Sequence, residues 1–307
     1  MSKVLVTPRS LTRSGHPALD RLAQAGYEVL FTTPGVQPDE AELLKKLPGC
    51  AGYLAGVEKV SARVLEAAAP TLKAIARNGV GIDNVDLEAA ERLGIPVLPA
   101  VGANARGVAE LTVALLLALA RAVPFSDARL KAADWQRRMG VELEGKTLGL
   151  VGCGRIGVQV ARMARGLGLE VLAHDPFPPA ETPAGVRLAS LDEVLTASDF
   201  VSLHCPARPD GVPLIEAKVL GTMKAGAYLV NTARASLLDA AAVLEALDDG
   251  RLAGLAIDVF ENEPPGDDPL VLHAKVIATP HVGGYTTESV DRAVGAAVDN
   301  LLDVLGK

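Results

Sequence analysis

The chain has 307 residues, 49% hydrophobic and 22% charged, with 30 Lys and Arg against 37 Asp and Glu for a net charge of −7. That length suits two domains of about 150 residues each, and the composition excludes a disordered chain. No run of Lys and Arg is longer than two, which argues against a nucleic-acid partner. An acidic chain gives an anionic substrate no long-range attraction, so any anion site must be local.

The three cysteines, Cys50, Cys153 and Cys205, are far apart and show no CxxC spacing. A disulfide framework or a metal site is therefore not expected, and free thiols suit a reducing cytosol. Residues 1–8 reach Pro8 before any signal-length apolar run develops. The most apolar stretch, 111–120, is bracketed by Glu110 and Arg121 and is too short to span a bilayer. The expectation is a cytoplasmic protein with no membrane partner.

In chain order, residues 3–7 and 27–31 are predicted strands, stopped by Pro8 and by Pro34-Gly35. A helix over 17–25 lies between them and ends at Gly26. Asp39 opens a helix running to Leu47, and 51–54 and 72–76 are predicted as the third and fourth strands. Asp86 caps a helix that ends at Gly94, and 95–98 is a fifth strand, short and at an edge. This alternation predicts a parallel sheet with helices on both faces. Residues 108–121 form a long apolar helix, followed by a polar stretch, 126–144, that holds the only tryptophan, Trp135. The crossover between domains is placed near residue 100.

The rhythm then restarts. Residues 146–151 are a strand, and the helix after Gly154 repeats apolar positions at Ile156, Val160, Met163, Ala164 and Leu167. Residues 170–175 are the next strand. Ser190 and Glu193 form a capping-box pattern before a short helix. Further strands follow at 199–204, 227–231, 255–259 and 276–279, with Asp239 opening a helix between the second and third of these. Six strands are the content of a complete dinucleotide-binding domain. Residues 288–305 form one amphipathic helix.

The turn between the first strand and helix of this second domain reads Gly152-Cys153-Gly154-Arg155-Ile156-Gly157. Glycine is 30 of 307 residues, so GxGxxG arises by chance about 0.3 times in such a chain. Its place between a strand and a periodic helix supplies the specificity. Gly152 permits the tight turn, Gly154 lets the backbone approach a pyrophosphate, and Gly157 lets helix and strand pack closely. The helix start then offers N–H groups and a positive dipole end to phosphates. Asp175 stands 23 residues after Gly152 and closes the second strand. A carboxylate there accepts ribose hydroxyls and repels a 2′-phosphate, and no Arg or Lys lies within two residues, so NAD is expected over NADP.

Three more residues follow strands of this domain. Arg234 ends Asn231-Thr232-Ala233-Arg234, Glu263 lies in Asp258-Val259-Phe260-Glu261-Asn262-Glu263-Pro264, and His281 lies in Pro280-His281-Val282-Gly283-Gly284. Ligands bind at the carboxyl ends of strands in open α/β sheets. Hydride chemistry on an alcohol needs a base for the hydroxyl proton, which His281 can provide near neutral pH. A carboxylate should orient the imidazole, as Glu263 could. A cation should hold the substrate's carboxylate or carbonyl oxygen, and Arg234 offers a planar fork. Of the other histidines, His16 and His273 show no partner signal. His174 is expected to flank the cofactor, and His204 to line the adenosine side of its site.

These motifs, with Arg77-Asn78-Gly79-Val80-Gly81-Ile82-Asp83-Asn84, Val108-Ala109-Glu110-Leu111-Thr112 and His204-Cys205-Pro206, resemble the D-isomer-specific 2-hydroxyacid dehydrogenases, of the phosphoglycerate dehydrogenase-like branch. The resemblance covers nearly the whole chain. It implies an α/β protein of two doubly wound parallel-sheet domains, with a Rossmann NAD-binding domain, 101–284, inserted into a flavodoxin-like substrate domain, 1–100 and 285–307. It implies that Arg234 binds substrate, that His281 is the acid and base, and that Glu263 is its partner. Gly152, Gly154, Arg155, Ile156, Gly157, Asp175, Cys205, Pro206, Thr232, Asp258 and Gly284 would lie against NAD. Backbone N–H groups at Gly79 and Val80 would hold the substrate carboxylate, the local anion site required above. A homodimer through the NAD-binding domain is implied, with the segment around Trp135 reaching the neighbouring subunit.

Two departures stand out. The loop Ala51-Gly52-Tyr53-Leu54-Ala55-Gly56-Val57 lacks the Arg-Ser pair of phosphoglycerate-specific members, which argues against 3-phosphoglycerate. Ala235-Ser236 replaces two glycines common in relatives and is expected to tighten the pocket mouth. Side chains at Tyr53, Leu54 and Arg106 are expected to shape the substrate pocket, with Leu54 in contact with substrate. The expected activity is interconversion of a D-2-hydroxy acid and its 2-oxo acid. An NADH-sensing binding protein resembling corepressors of this fold is the alternative from another class, disfavoured by the compact acidic sequence. Formate dehydrogenases pair Gln with the histidine, which Glu263 disfavours. A phosphite-type dehydrogenase stays open.

Overall fold

The computed structural model of the protein describes residues 1–306 and divides into two compact units: Met1–Asn104 with the C-terminal segment from Thr286, and Ala105–Tyr285. The chain leaves the first unit later than residue 100 because its packing continues there. The Ala100 N–H donates to Gly79 O at 2.8 Å, and Ala100 and Ala103 bury against Ala293.

The first unit holds β1 (Lys3–Val6), β2 (Glu28–Phe31), β3 (Cys50–Ala55), β4 (Ala74–Arg77) and β5 (Val97–Pro99). They pair in parallel in the order β2-β1-β3-β4-β5. The order reverses between β1 and β3, the flavodoxin-like arrangement, and ligands favour the strand ends near such a reversal. Asp39 and Asp86 cap their helices by accepting from Glu42 N and Ala89 N. Helices Arg9–Ser14 and Ala62–Ala68 were not expected from the sequence.

The C-terminal helix Thr287–Leu305 is capped by Thr286, whose hydroxyl accepts from Ser289 N. Val294, Ala297, Val298, Leu301 and Leu305 recur at helical spacing and bury against Val4, Val6, Leu54, Ala74 and Ala76. Each fully buried Leu or Val contributes about 1.5–3 kcal/mol relative to exposure. The helix therefore holds the end of the chain to one face of this sheet. A Cβ on Gly52 would lie 2.8 Å from Leu305 Cδ1, so glycine lets the helix end sit close to β3.

The second unit holds β6 (Thr147–Val151), β7 (Glu170–His174), β8 (Val186–Leu188), β9 (Phe200–Leu203), β10 (Ala227–Asn231), β11 (Leu252–Ile257) and β12 (Val276–Ala278). All pair in parallel, in the order β12-β11-β10-β9-β6-β7-β8. The count of six strands is thus corrected to seven. The added β8 is a three-residue edge strand with Arg187 and Leu188 exposed, so it lacks the apolar pattern of a strand. The reversal falls between β6 and β9, which is the Rossmann switch point.

Both faces of this sheet are covered. Leu148, Leu150, Ala173, Val230 and Ala256 pack on one side with residues of helices Ala105–Ala120 and Arg155–Gly166. Val151, Leu203, Leu229, Leu255 and Ile257 pack on the other. Double coverage explains why the strands read as continuous apolar runs. No single helix among the described residues is long and apolar enough to cross a membrane. The apolar helix Ala105–Ala120 buries Val108, Thr112, Leu115, Leu116 and Leu119 within the second unit.

Candidate active site

In the second unit, β6 runs into Gly152, which has φ 102°. A Cβ there would sit 2.6–2.8 Å from the backbone of His204 and Cys205. Only glycine lets this turn pass the exit of β9. A Cβ on Gly157 would collide with Gly152 O. Gly154 differs: nothing lies within 4 Å of its Cβ position. It is the N-cap of the twelve-residue helix Arg155–Gly166 and supplies no side-chain cap. The first-turn N–H groups at Arg155 and Ile156 therefore border open space at a positive helix end, a setting that fits a dinucleotide pyrophosphate.

Asp175 lies just past β7. Its Oδ2 accepts Cys153 N at 2.7 Å and its Oδ1 accepts Phe177 N at 2.8 Å. The carboxylate thus ties the glycine turn to the exit of β7, and each oxygen keeps a lone pair for a further donor. Burial above all, and the Asp175 charge, push the Cys153 and Cys205 thiols up, so both stay protonated. Pro206 follows, exposed. His204 is mostly buried, with Nε2 3.0 Å from Ser202 Oγ, and burial lowers its pKa to about 4. It is a neutral, structural imidazole near pH 7. His174 Nδ1 lies 3.2 Å from Ala189 O.

The ends of β10, β11 and β12 lie side by side. Asn231 is buried at the end of β10; its Oδ1 accepts Ala233 N at 3.0 Å and its Nδ2 donates to Arg234 O at 2.8 Å. This clasp fixes the Thr232–Arg234 turn. Thr232 Oγ1 lies 3.0 Å from Thr112 Oγ1. Arg234 Nη1 donates to Ala233 O at 2.7 Å. The next residues, Ala235–Leu237, form one 3-10 turn.

Asp258, just past β11, is buried and faces the β12 loop. Its Oδ1 accepts Thr279 Oγ1 at 2.6 Å and Val282 N at 2.8 Å, and its Oδ2 accepts Gly283 N at 2.8 Å. Those donors flank His281, which adopts φ 52°. A left-handed conformation in a non-glycine residue costs on the order of 1 kcal/mol and persists only when its surroundings impose it. The Asp258 carboxylate imposes it here. The sequence placed Asp258 against a cofactor and missed this role, because an aspartate at a strand end reads alike in either case. Gly284 continues the same loop.

His281 Nδ1 lies 2.8 Å and 2.9 Å from the two oxygens of Glu263. The side chains are 52% and 42% exposed. Nδ1 therefore donates to the carboxylate, and Nε2 has no protein hydrogen-bond partner among the described residues. His16 and His273 do have partners, contrary to expectation. Their Nε2 atoms lie 3.0 Å from Asp291 and 3.3 Å from Asp248.

In the first unit, Gly79 and the exposed Val80 follow β4. The Arg77 guanidinium stands 2.9 Å from where a Gly79 Cβ would be, so the turn is built closely on that cation. Asn78 Oδ1 is buried with no hydrogen-bond partner. Leu54 is corrected: it is fully buried in the core under the C-terminal helix, and its side chain presents nothing to a ligand. Tyr53 is fully buried too, with its hydroxyl bonded to Glu58. Arg106 pairs with Glu110 in the second unit. Glu58, a buried acid the sequence did not single out, accepts the Tyr53 hydroxyl. Among the described residues no group of three or more His, Cys, Asp or Glu could hold a metal ion.

Residues 113–283 match the NAD binding domain of the D-isomer specific 2-hydroxyacid dehydrogenases. The chain is 42% identical over 261 residues to D-3-phosphoglycerate dehydrogenase of Mycobacterium tuberculosis, covering 83% of this chain and 49% of that protein. The chain thus spans about half the length of the curated relatives it matches. The TT0316 protein of Thermus thermophilus has a similar structure, with TM-score 0.89, 40% identity, and 99% and 97% of the two chains covered. So does NAD-dependent formate dehydrogenase from Staphylococcus aureus in complex with NAD, with TM-score 0.87, 29% identity, and coverage of 98% and 94%. The chain belongs to the D-isomer specific 2-hydroxyacid dehydrogenase family.

Proposed function

We propose that this chain is an NAD-dependent dehydrogenase that interconverts a D-2-hydroxy acid and its 2-oxo acid. The observation that carries the reading is the His281–Glu263 pair, held on an Asp258-anchored turn at the strand ends of the NAD-binding domain. NAD, when bound, supplies the hydride acceptor. Gly154 with the Arg155 and Ile156 N–H groups would receive its pyrophosphate, and Asp175 the adenosine ribose. Gly152 and Gly157 shape that turn. Cys205, Pro206, Thr232, Asp258 and Gly284 are the further proposed contacts.

In the oxidative direction, His281 Nε2 takes the proton of the substrate hydroxyl. Glu263 holds Nδ1, which keeps Nε2 turned outward and stabilises the imidazolium that forms. In reduction the same nitrogen returns the proton. Arg234 neutralises the substrate's carboxylate or polarises its carbonyl oxygen. The Gly79 and Val80 N–H groups are the first unit's proposed contribution to carboxylate binding. NADH oxidation measured across glyoxylate, hydroxypyruvate, pyruvate and branched 2-oxo acids tests this function. Turnover with at least one supports it, and none, with NADH demonstrably bound, overturns it.

A homodimer through the second unit is part of the same proposal. Leu130, Trp135 and Met139 are exposed in the arm that follows the apolar helix. Arg138 stacks on Phe125 in that arm at 4.0 Å. Exposed large apolar groups gathered in one segment mark an interaction surface. Sedimentation of the intact chain as a monomer at micromolar concentration would refute it.

A further inference from the structure

The strand-end edge of the first unit carries a second constellation. Glu58 is 1% exposed, and its Oε1 accepts from Tyr53 Oη at 2.6 Å, from Gly56 N at 2.8 Å and from the Thr7 hydroxyl. Burial above all, and the Glu58 charge, hold the Tyr53 phenol well above its usual range, so it remains a donor. Asn84 joins this cluster to the next loop. Its Nδ2 donates to Glu58 O at 2.6 Å and to Gly56 O at 3.2 Å, and its Oδ1 accepts Arg77 Nε at 3.2 Å. Arg77 Nη1 donates in turn to Asn78 O at 2.8 Å. β3 and β4 are neighbours with Ala55 opposite Arg77, so the loops that follow them run side by side.

This lattice turns its two charged side chains inward, with Arg77 8% exposed. Facing out instead are Val57, 48% exposed, and Val80, 39% exposed. Val57 lies between Gly56 and Glu58, the two residues that the lattice holds. Arg9, Lys59 and Asp83 are the exposed charged residues of the surrounding loops.

We infer that Val57 and Val80 form the wall that receives the side chain of the 2-oxo acid, and that Glu58 fixes this wall for a short, uncharged aliphatic group. The inference rests on the proposed dehydrogenase function, with Gly79 and Val80 holding the substrate carboxylate. Glu58 acts as a positioning residue and does not touch substrate. It sets the Gly56–Val57 turn by accepting from Gly56 N and from the Tyr53 and Thr7 hydroxyls. A second carboxylate on the substrate would have to shed water against two valines, which is unfavourable. A methylene buried on the same wall gains about fourfold in kcat/KM. Arg9 and Lys59 stand at the solvent margin, where screening keeps their attraction for an anion small.

The test compares 2-oxovalerate with 2-oxoglutarate, which carries a carboxylate where the former has a methyl group, using the intact protein and NADH. The expected ratio of kcat/KM favours 2-oxovalerate by at least about tenfold. Val57→Arg, a surface change, should lower that ratio about tenfold or more. Glu58→Ala takes away the acceptor of Gly56 N and of the Tyr53 and Thr7 hydroxyls, frees the Gly56–Val57 turn, and should lower the ratio several-fold with the dissociation constant for NADH unchanged. A merely structural Glu58 would lower both substrates equally, and an unchanged ratio in Glu58→Ala overturns its assigned role. A wild-type preference for 2-oxoglutarate, or an unchanged ratio in Val57→Arg, overturns the wall. These failures leave the dehydrogenase function standing. Failure of every 2-oxo acid to turn over, with NADH bound, removes both.

Discussion

The two units are built alike and place charge differently. Each is a parallel sheet with its functional loops at the carboxyl ends of the strands. In the second unit, His281 and Glu263 are about half exposed, and only the tether Asp258 is buried beneath them. In the first, Glu58 and Arg77 are buried beneath the loops, and backbone and valines face outward. A group that moves protons must be reachable, whereas a recognition wall must be rigid. On the proposed function, the same topology would serve chemistry in one unit and selection in the other, according to which side chains are turned inward.

The largest expected effect tests that division directly. His281→Gln should lower kcat by about a thousandfold, since positioned acid–base catalysis contributes roughly 10²–10⁴. NADH affinity, measured by fluorescence titration, should be unchanged. Retention of activity within about tenfold would erase the contrast, because the exposed imidazole would then have no chemical task. Next in size is Asp258→Ala. It strips an acceptor from Thr279, Val282 and Gly283. Hydrogen bonds to a charged group contribute about 1.5–3 kcal/mol each, with incomplete additivity. A loss of about 3 kcal/mol in urea unfolding is expected, with a fall in kcat as the His281 turn relaxes. Unchanged stability would mean that the turn holds its left-handed residue without the tether.

The sequence made the second unit's edge legible and the first unit's opaque, for a physical reason. The glycine turn, Arg234, Glu263 and His281 each stand beside Gly or Pro punctuation at strand ends, where special backbone geometry demands particular residues. In the first unit, β3 is covered on both faces, so Tyr53 and Leu54 are equally apolar and no alternation tells core from pocket. Leu54 was assigned to substrate on that ambiguity. Glu58 went unnoticed because a lone acid in a loop reads as solvated, and its burial comes from Thr7 and Tyr53, distant or neighbouring strand residues. β8 was missed because three residues with an exposed Arg187 carry no strand period.

Two glycines sharpen the contrast within one turn. Gly152→Ala forces a Cβ onto the backbone of His204 and Cys205 at a positive φ. It should cost about 2 kcal/mol of stability or more. Gly154→Ala meets nothing within 4 Å and keeps an ordinary φ of −77°. Its fold should be intact, while NADH binding weakens about tenfold or more because the methyl occupies the proposed approach of the pyrophosphate. Thermal unfolding and NADH titration on both variants separate the two roles. Equal effects on stability would show that Gly154 is needed for packing after all.

The smallest effect comes from His204, the imidazole that the fold keeps from titrating. Burial lowers its pKa from 6.5 to about 4. The native state therefore holds it neutral, and its contribution is fully present above pH 6.5. As pH falls below 6.5 the unfolded chain takes up a proton that the native chain refuses until about pH 4. Unfolding free energy drops through that window, by about 2 kcal/mol at pH 5. His204→Gln removes this single proton and should flatten the decline between pH 7 and pH 5 relative to the wild type, whatever its absolute stability. Parallel stability curves for wild type and His204→Gln would show that His204 titrates freely, and that the second unit does not divide its histidines into one kept neutral and one kept available.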